Sequence, residues 1–398
     1  MKTEPTDAAP AAALSFSSGF RRELTPTWLS FACLLNGHRP PDLGASFRYV
    51  HVGCGNGKTT AVIGAVHPDA DVWAWADRSG DLENTARTCR SAGLSNVRVH
   101  ERVGLPPDLG GDVADLIVVE GVLTTASDER RSELFDAVGD NLRPGGLACI
   151  TYRTTVSWSE IAPVQRVMHR VAERHAGHPD DLVPAVLSLM DELRKGGARH
   201  LTERPVVAAW LDELKETDPA VIVRDYLQGA FRPMSHPQVA GALSAHGCTF
   251  VGSAMLDGPF EFSPELAEVI DAAPSPALRE AYRDLATRPS ERMDLFRRGG
   301  APLAEGDRQA WLDSVDLVPI SGPEADRLGG TPSELRQTVG ALRAHPASVY
   351  ASAGAAEQSR ALGQVFADSG IDLVPVSVIG SALPLGAELT IPGGPEAA

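Results

Sequence analysis

Between residues 48 and 152, short apolar runs alternate with segments whose apolar residues recur at helical spacing. The runs Arg48–Val52, Asp71–Ala76, Val97–His100, Leu116–Val119 and Leu147–Tyr152 are predicted strands. Near-continuous apolar runs suit strands buried on both faces, as in a parallel sheet. Helices are predicted from Gly57 through Ala65, from Leu82 to Ala92 and from Asp128 to Leu142. Gly93 stops the second of these, and Pro144-Gly145-Gly146 makes a turn after the third. Upstream, Trp28, Leu29, Phe31, Ala32, Leu34 and Leu35 mark a helix over 25–36, with Pro26 in its first turn and Gly37 as its cap. Strands that alternate with helices call for an α/β fold with a doubly wound parallel sheet.

After Trp158 the pattern becomes almost wholly helical as far as residue 245. Ile161, Val164, Val167, Met168 and Val171 share one face, and Val183–Leu193 and Val206–Leu214 follow suit. Residues 248–256 are a predicted strand, 277–297 a predicted helix and Asp372–Val378 a short strand. The organisation expected is a disordered N-terminus (1–19), a Rossmann-like domain (20–155), a helical domain (156–257), a smaller mixed C-terminal domain (258–381) and a flexible tail (382–398).

The chain has 398 residues and a formal net charge of −16. An acidic balance argues against nucleic acid or an anionic membrane as partner, because either needs a positive surface. No stretch approaches the ~20 apolar residues of a membrane helix. The first residues lack the apolar core of a signal peptide. Cys33, Cys54, Cys89, Cys149 and Cys248 are scattered, with no C-x-x-C pair. Such cysteines speak against a disulfide scaffold or zinc ribbon and for a reducing cytoplasm.

The sharpest motif is Gly53-Cys54-Gly55-Asn56-Gly57, which leaves the first strand and opens a helix. Glycines there allow a tight turn and close approach of a ligand to the backbone. Asp77, at the end of the second strand, is placed to accept both ribose hydroxyls of a nucleoside. Together they describe an adenosine-type cofactor across the carboxyl ends of the first two strands. The G-x-x-x-x-G-K-[ST] phosphate loop is matched only at Gly57-Lys58-Thr59, since Val52 stands where its leading glycine belongs. The dinucleotide motif G-x-G-x-x-G fits no better, because the third glycine comes one residue early.

G-x-G-x-G is the loop of class I S-adenosylmethionine-dependent methyltransferases. Further segments extend the resemblance. They are Leu35-Asn36-Gly37-His38-Arg39-Pro40-Pro41, Glu120-Gly121-Val122-Leu123-Thr124-Thr125, Ile150-Thr151-Tyr152-Arg153-Thr154 with Ser157-Trp158, Ala245 to Gly252, and Met293-Asp294-Leu295-Phe296-Arg297-Arg298. In this order they resemble the methyltransferases that carry a methyltransferase regulatory domain, the group that includes bacterial outer-membrane-protein lysine methyltransferases. The resemblance implies S-adenosyl-L-methionine as cofactor and an amine nitrogen on a protein as acceptor; a small specialised metabolite stands beside it, because this fold hosts many acceptors. It places cofactor contacts at His51, Gly53, Cys54, Gly55, Asn56, Gly57, Asp77, Arg78, Arg102 and Glu120. That family has an acid where His51 stands, beside the cofactor's ammonium. A neutral imidazole would tolerate the ammonium and an imidazolium would repel it. This exchange motivates the alternative of a catalytically silent cofactor-binding or interaction protein.

Glu120, at the end of the fourth strand, is placed either to orient or deprotonate an attacking amine or to cap the next turn. Tyr152 and Trp158 are read equally as positioning walls of the acceptor pocket and as core. Trp73 and Trp75 share one sheet face under a helix. Asp115 and Asp128 take solvated or capping roles. Arg292, Arg297 and Arg298 form a solvated basic patch. His169, His175 and His178 lack the further ligands of a metal site, so no metal is expected.

Overall fold

The computed structural model describes residues 20–308, except 45, 77–78, 101–110, 112, 176–178, 228, 230 and 256–261, together with the short segments 317–319 and 373–375. A 3-10 turn (Arg22–Leu24) leads into α1 (Pro26–Leu35), where the Thr25 side chain accepts from the Trp28 amide. Then follow β1 (Arg48–Val52), α2 (Lys58–Val66), β2 (Asp71–Trp75), α3 (Ser79–Ser91), β3 (Val97–Val99), β4 (Ala114–Val119), α4 (Asp128–Asn141) and β5 (Leu142–Arg153). The helical stretch comprises α5 (Thr155–Trp158), α6 (Ala162–Ala172), α7 (Pro179–Lys195), α8 (Arg199–Thr202), α9 (Pro205–Glu216) and α10 (Pro219–Ile222). The chain returns through α11 (His236–Ser244), β6 (Cys248–Ser253), α12 (Pro264–Asp271), α13 (Pro276–Thr287) and β7 (Glu291–Arg298). A separate two-stranded pair joins β8 (Leu317–Pro319) to β9 (Leu373–Pro375), the latter within the strand expected over 372–378.

The main sheet has seven strands in the order β3-β2-β1-β4-β5-β7-β6. All neighbours are parallel except those of β7, which runs antiparallel to both β5 and β6. The sheet thus extends beyond the five strands between residues 20 and 155 in which the sequence pattern ended it. The helix expected over 277–297 stops at Thr287, and Glu291–Arg298 is strand β7, wedged between β5 and β6. Its alternation explains the switch. Met293 and Leu295 enter the core under α1, while Phe296 enters the opposite core with Tyr152 and Val239.

Burial on both faces of β4, with every residue buried, accounts for its unbroken apolar run. One face packs against α1 through Tyr49, Val72, Leu116 and Val118. The other packs against α4 and α11 through Val50, Ile117, Val119 and Ile150. Trp75 is buried on that second face, with His100 stacked at 3.9 Å. Trp73 beside it is only half-buried and lies under the Arg48 and Arg98 guanidiniums. The helices between Trp158 and Phe231 enclose an apolar core of their own, with Met168, Val186, Trp210 and Tyr226 at its centre.

Asp115 is buried rather than solvated. It accepts from the Arg48 amide at 2.7 Å and pairs with Arg143 at 2.6 Å, tying the start of β1 to the start of β5. The α4 cap is Ser127, whose side chain accepts from the Arg130 amide. Among the described residues, no helix is long and apolar enough to cross a membrane.

Candidate functional site

Strand order reverses between β1 and β4, which pair in parallel with His51 opposite Val118 and Val52 opposite Val119. Crevices of doubly wound sheets open at this switch, outside the carboxyl ends of the strands. Two loops meet there: Gly53–Gly57 after β1, and Glu120 onward after β4. The Glu120 amide donates to the Val52 carbonyl at 2.8 Å and holds them side by side.

The three loop glycines do different jobs. Gly53 (φ +86°) lies so close to β4 that an added Cβ would meet the Glu120 carbonyl oxygen at 2.0 Å. Gly57 (φ +79°) is pressed against Thr85 of α3, whose Cα an added Cβ would meet at 2.6 Å. Gly55 (φ +52°) faces open space, with nothing within 4 Å of an added Cβ. Its carbonyl accepts from the Thr85 hydroxyl at 3.0 Å, which fixes the loop from behind. Gly53 and Gly57 are therefore required by packing, and Gly55 borders a cradle of open space.

Cys54 points away from that cradle into a small core with Ala74, Ala76 and Leu82, where burial pushes its thiol up to about 12. Half-buried Asn56 accepts from the Lys58 amide through Oδ1 at 3.3 Å, steadying the start of α2. Asp77, Arg78 and Arg102 lie outside the described residues.

The chemistry at the switch point is a linked polar set. His51 is fully buried, with Nδ1 2.9 Å from the Thr60 hydroxyl and Nε2 3.0 Å from Oε2 of Glu120. Both ring nitrogens are committed inside the protein, so the imidazole does not present itself to a ligand as the sequence suggested. Its partner Glu120 is a little more open, with a side chain 14% exposed. Arg21 donates to Glu120 Oε1 at 3.1 Å and to Glu291 Oε2 at 3.1 Å. Burial alone would raise the Glu120 carboxyl, but the His51 hydrogen bond and the Arg21 guanidinium outweigh it and hold the group below the usual carboxylate range. Arg21 is held above its ordinary value by Glu291 and Glu120, against the opposing effect of burial. Glu120 is thus an anchored carboxylate at the carboxyl end of β4. Arg21 and Glu291 were not legible as site residues. They lie 99 and 171 residues from Glu120 in the chain, and no local spacing marks them.

Tyr152 and Trp158 are core rather than pocket walls, at 1% and 0% exposure. The Tyr152 hydroxyl donates to Asp294 Oδ2 at 2.6 Å, and the Trp158 indole donates to the Ser290 carbonyl at 2.8 Å. Arg292 is no solvated patch either. On β7 it is buried and binds Asp294, Asp284 and Glu280. His169 is held by the Leu227 carbonyl at 2.7 Å, and His178 lies outside the described residues.

A seven-stranded, doubly wound sheet with an antiparallel strand before its last edge, carrying its glycine loop at the β1/β4 switch, has the Rossmann-like fold of class I methyltransferases. The solved structure of PKMT2 from Rickettsia typhi in complex with AdoHcy has this fold, with a TM-score of 0.62 at 19% identity over 77% of this chain and 60% of that one. Residues 218–298 match the family model of a predicted methyltransferase regulatory domain. In sequence, the chain is 23% identical over 319 residues to the uncharacterised protein sll1526 of Synechocystis, covering 77% of this chain and 62% of the relative. It is 25% identical over 143 residues to the uncharacterised protein RP028 of Rickettsia prowazekii, covering 36% and 57%. The chain thus matches less than two thirds of the length of each of these relatives.

Proposed function

We propose that the protein is an S-adenosylmethionine-dependent methyltransferase acting on an amine nitrogen, of a protein or of a small specialised metabolite. The observation that carries this reading is the open cradle at Gly55 between two glycines fixed by packing. The residues that would hold the cofactor are the backbone of 53–57 and Glu120, with Asp77, Arg78 and Arg102 completing the nucleoside end. The likeness in fold to PKMT2, solved with AdoHcy, and the regulatory-domain match at 218–298 both support it.

The bound cofactor supplies a methyl group on a positively charged sulfur, already electrophilic. What remains for the chain is to position the acceptor, which does most of the work in such a transfer. Glu120 is suited to orient an N–H of the neutral acceptor amine, whose lone pair must be free to take the methyl. Its lowered pKa makes it a poor proton acceptor, so the acceptor gives up its ammonium proton to water beforehand, and orientation rather than deprotonation is the role of Glu120. The net charge of −16 favours approach of a cationic acceptor. We assign residues 20–155 and the strands after them to the cofactor, and the helical unit around Trp158–Phe231 to covering the acceptor. Five buried thiols suit a reducing cytoplasm as the place of action.

The test is incubation of the full chain with methyl-deuterated S-adenosylmethionine and panels of lysine-rich peptides and small amines. Mass spectrometry should find a labelled methyl on nitrogen together with S-adenosylhomocysteine. Labelled methyl only on oxygen or carbon would refute the amine assignment. Binding without any transfer would favour the catalytically silent alternative.

A further inference from the structure

Helix α13 is turned inside out. Its buried face carries Glu280 and Asp284, which bind Arg292 of β7. The opposite face carries Leu278, Tyr282 and Leu285, whose i, i+4, i+7 spacing makes one ridge. Leu285 is 70% exposed and Leu278 40%. On α12, packed beside it, Leu266 and Val269 are exposed as well, Val269 by 58%. Among the described residues, the other large apolar side chains left in the open are Val167 and Leu193, on α6 and α7. A helix covered only by water has the reverse pattern, apolar inward and charged outward. Four exposed apolar side chains on one helical pair mark a surface that a partner covers.

The charges say which partner. The charged residues of α12 are all acidic: Glu265, Glu268 and Asp271, each exposed. On α13 both acids are turned to Arg292, so the charges left toward solvent are Arg279 and Arg283, with Arg288 at the cap. Arg279 touches the Asp271 carbonyl and Arg283 the Glu280 carboxylate, and both stay partly exposed. An acidic helix beside a basic one complements its own copy turned about a two-fold axis. The acids of α12 in each copy then meet the Arg279 and Arg283 edge of the other. The apolar ridge obeys the same symmetry. Antiparallel pairing of two α13 helices sets Leu278 against Leu285 of the other copy, twice. It also brings Ala281 to the axis beside Tyr282, where the small alanine lets the helices approach.

We infer that the protein pairs with a second copy of itself through α12 and α13, in a two-fold dimer centred on Ala281 and Tyr282. β7 runs antiparallel to both β5 and β6, so the helical pair that joins β6 to β7 lies at the carboxyl ends of the parallel strands. The interface thus flanks the side on which the glycine loop lies, and the pairing does not depend on what that loop binds.

Sedimentation velocity of the full chain, from about 1 to 100 µM, tests the pairing. The parent should run at twice the mass of one chain and dissociate on dilution. Leu285→Asp changes a position open to water in the single chain, so it should fold like the parent by circular dichroism. It should raise the dissociation constant about tenfold or more. Ala281→Cys should give a disulfide-linked dimer under mild oxidation. The parent, whose five cysteines are buried, should not, and neither should Val167→Cys, exposed on α6. A parent that stays monomeric over that range would overturn the inference and leave the face to another partner. So would a dimer undisturbed by Leu285→Asp, or one in which Ala281→Cys links no faster than Val167→Cys.

Discussion

His51 and Glu120 are hydrogen-bonded across the ends of the first and fourth strands, Nε2 to Oε2, at 3.0 Å. The ionised Glu120 accepts at this contact, and Nδ1 lies 2.9 Å from the Thr60 hydroxyl. The buried imidazole is therefore bonded to Thr60 and Glu120, with neither ring nitrogen turned to the open space beside Gly55.

That contact fixes what His51→Glu should do. A second carboxylate at the position of a fully buried ring would face Glu120 and force one of the two to hold a proton. The variant should lose about 1–3 kcal/mol at neutral pH. The loss should shrink toward pH 5, where a shared proton is easier to keep. His51→Gln, which can still donate to Glu120, should lose less. Chemical denaturation at both pH values reads the difference, and a His51→Glu variant as stable as the parent at pH 7 would refute the contact.

The loop glycines should separate by phenotype. Gly53→Ala drives a Cβ into the Glu120 carbonyl and should lower the melting temperature sharply. Gly55→Ala meets open space and carries only the left-handed backbone cost of about 1–2 kcal/mol. It should nevertheless weaken ligand binding, because the methyl group enters the cradle. Thermal melts beside calorimetry for both variants test this pairing of effects.

Tyr152 should behave as a core residue. Tyr152→Phe removes a hydrogen bond to buried Asp294, worth about 1 kcal/mol, since Asp294 keeps Arg292 and His236 as partners. Asp294→Ala leaves Arg292 paired with Asp284 and Glu280 but removes the acceptor of its Nε, of Tyr152 and of His236, and should cost more, about 1–3 kcal/mol. Turnover per folded molecule should be unchanged in Tyr152→Phe. A large loss of turnover with no loss of stability would return Tyr152 to the acceptor pocket.

Asp294 also sets an acid limit. Burial would raise its carboxyl, and Arg292 with the His236 and Tyr152 hydrogen bonds holds it below its ordinary value. A carboxyl lowered on folding stabilises the protein above its unfolded pKa of about 3.9. That stability is lost as pH falls through the lower folded value. Denaturation midpoints should thus drop more steeply below about pH 4 in the parent than in Asp294→Asn.

The sequence carried the glycine loop and the five parallel strands because their signals are local: apolar runs, stop residues and G-x-G-x-G. β7 was misread as helix because its Arg292 and Asp294 look solvated until their partners on α13 and α11 are known. Polar residues inside a sheet mimic an exposed face when they neutralise one another. Arg21 was missed for the same reason on a longer scale, since Glu120 and Glu291 reach it only through the fold. Tyr152 and Trp158 stood at the right strand end, but spacing alone does not say whether an aromatic ring there faces the crevice or the core.

The most direct measurement of the central claim is calorimetric titration of S-adenosylhomocysteine into the full chain and into Gly55→Val, with circular dichroism of both. We expect saturable one-to-one binding by the parent, and its loss in Gly55→Val with the folded spectrum retained. No binding by the parent, or equal binding by both, would contradict a cofactor seated on the glycine loop.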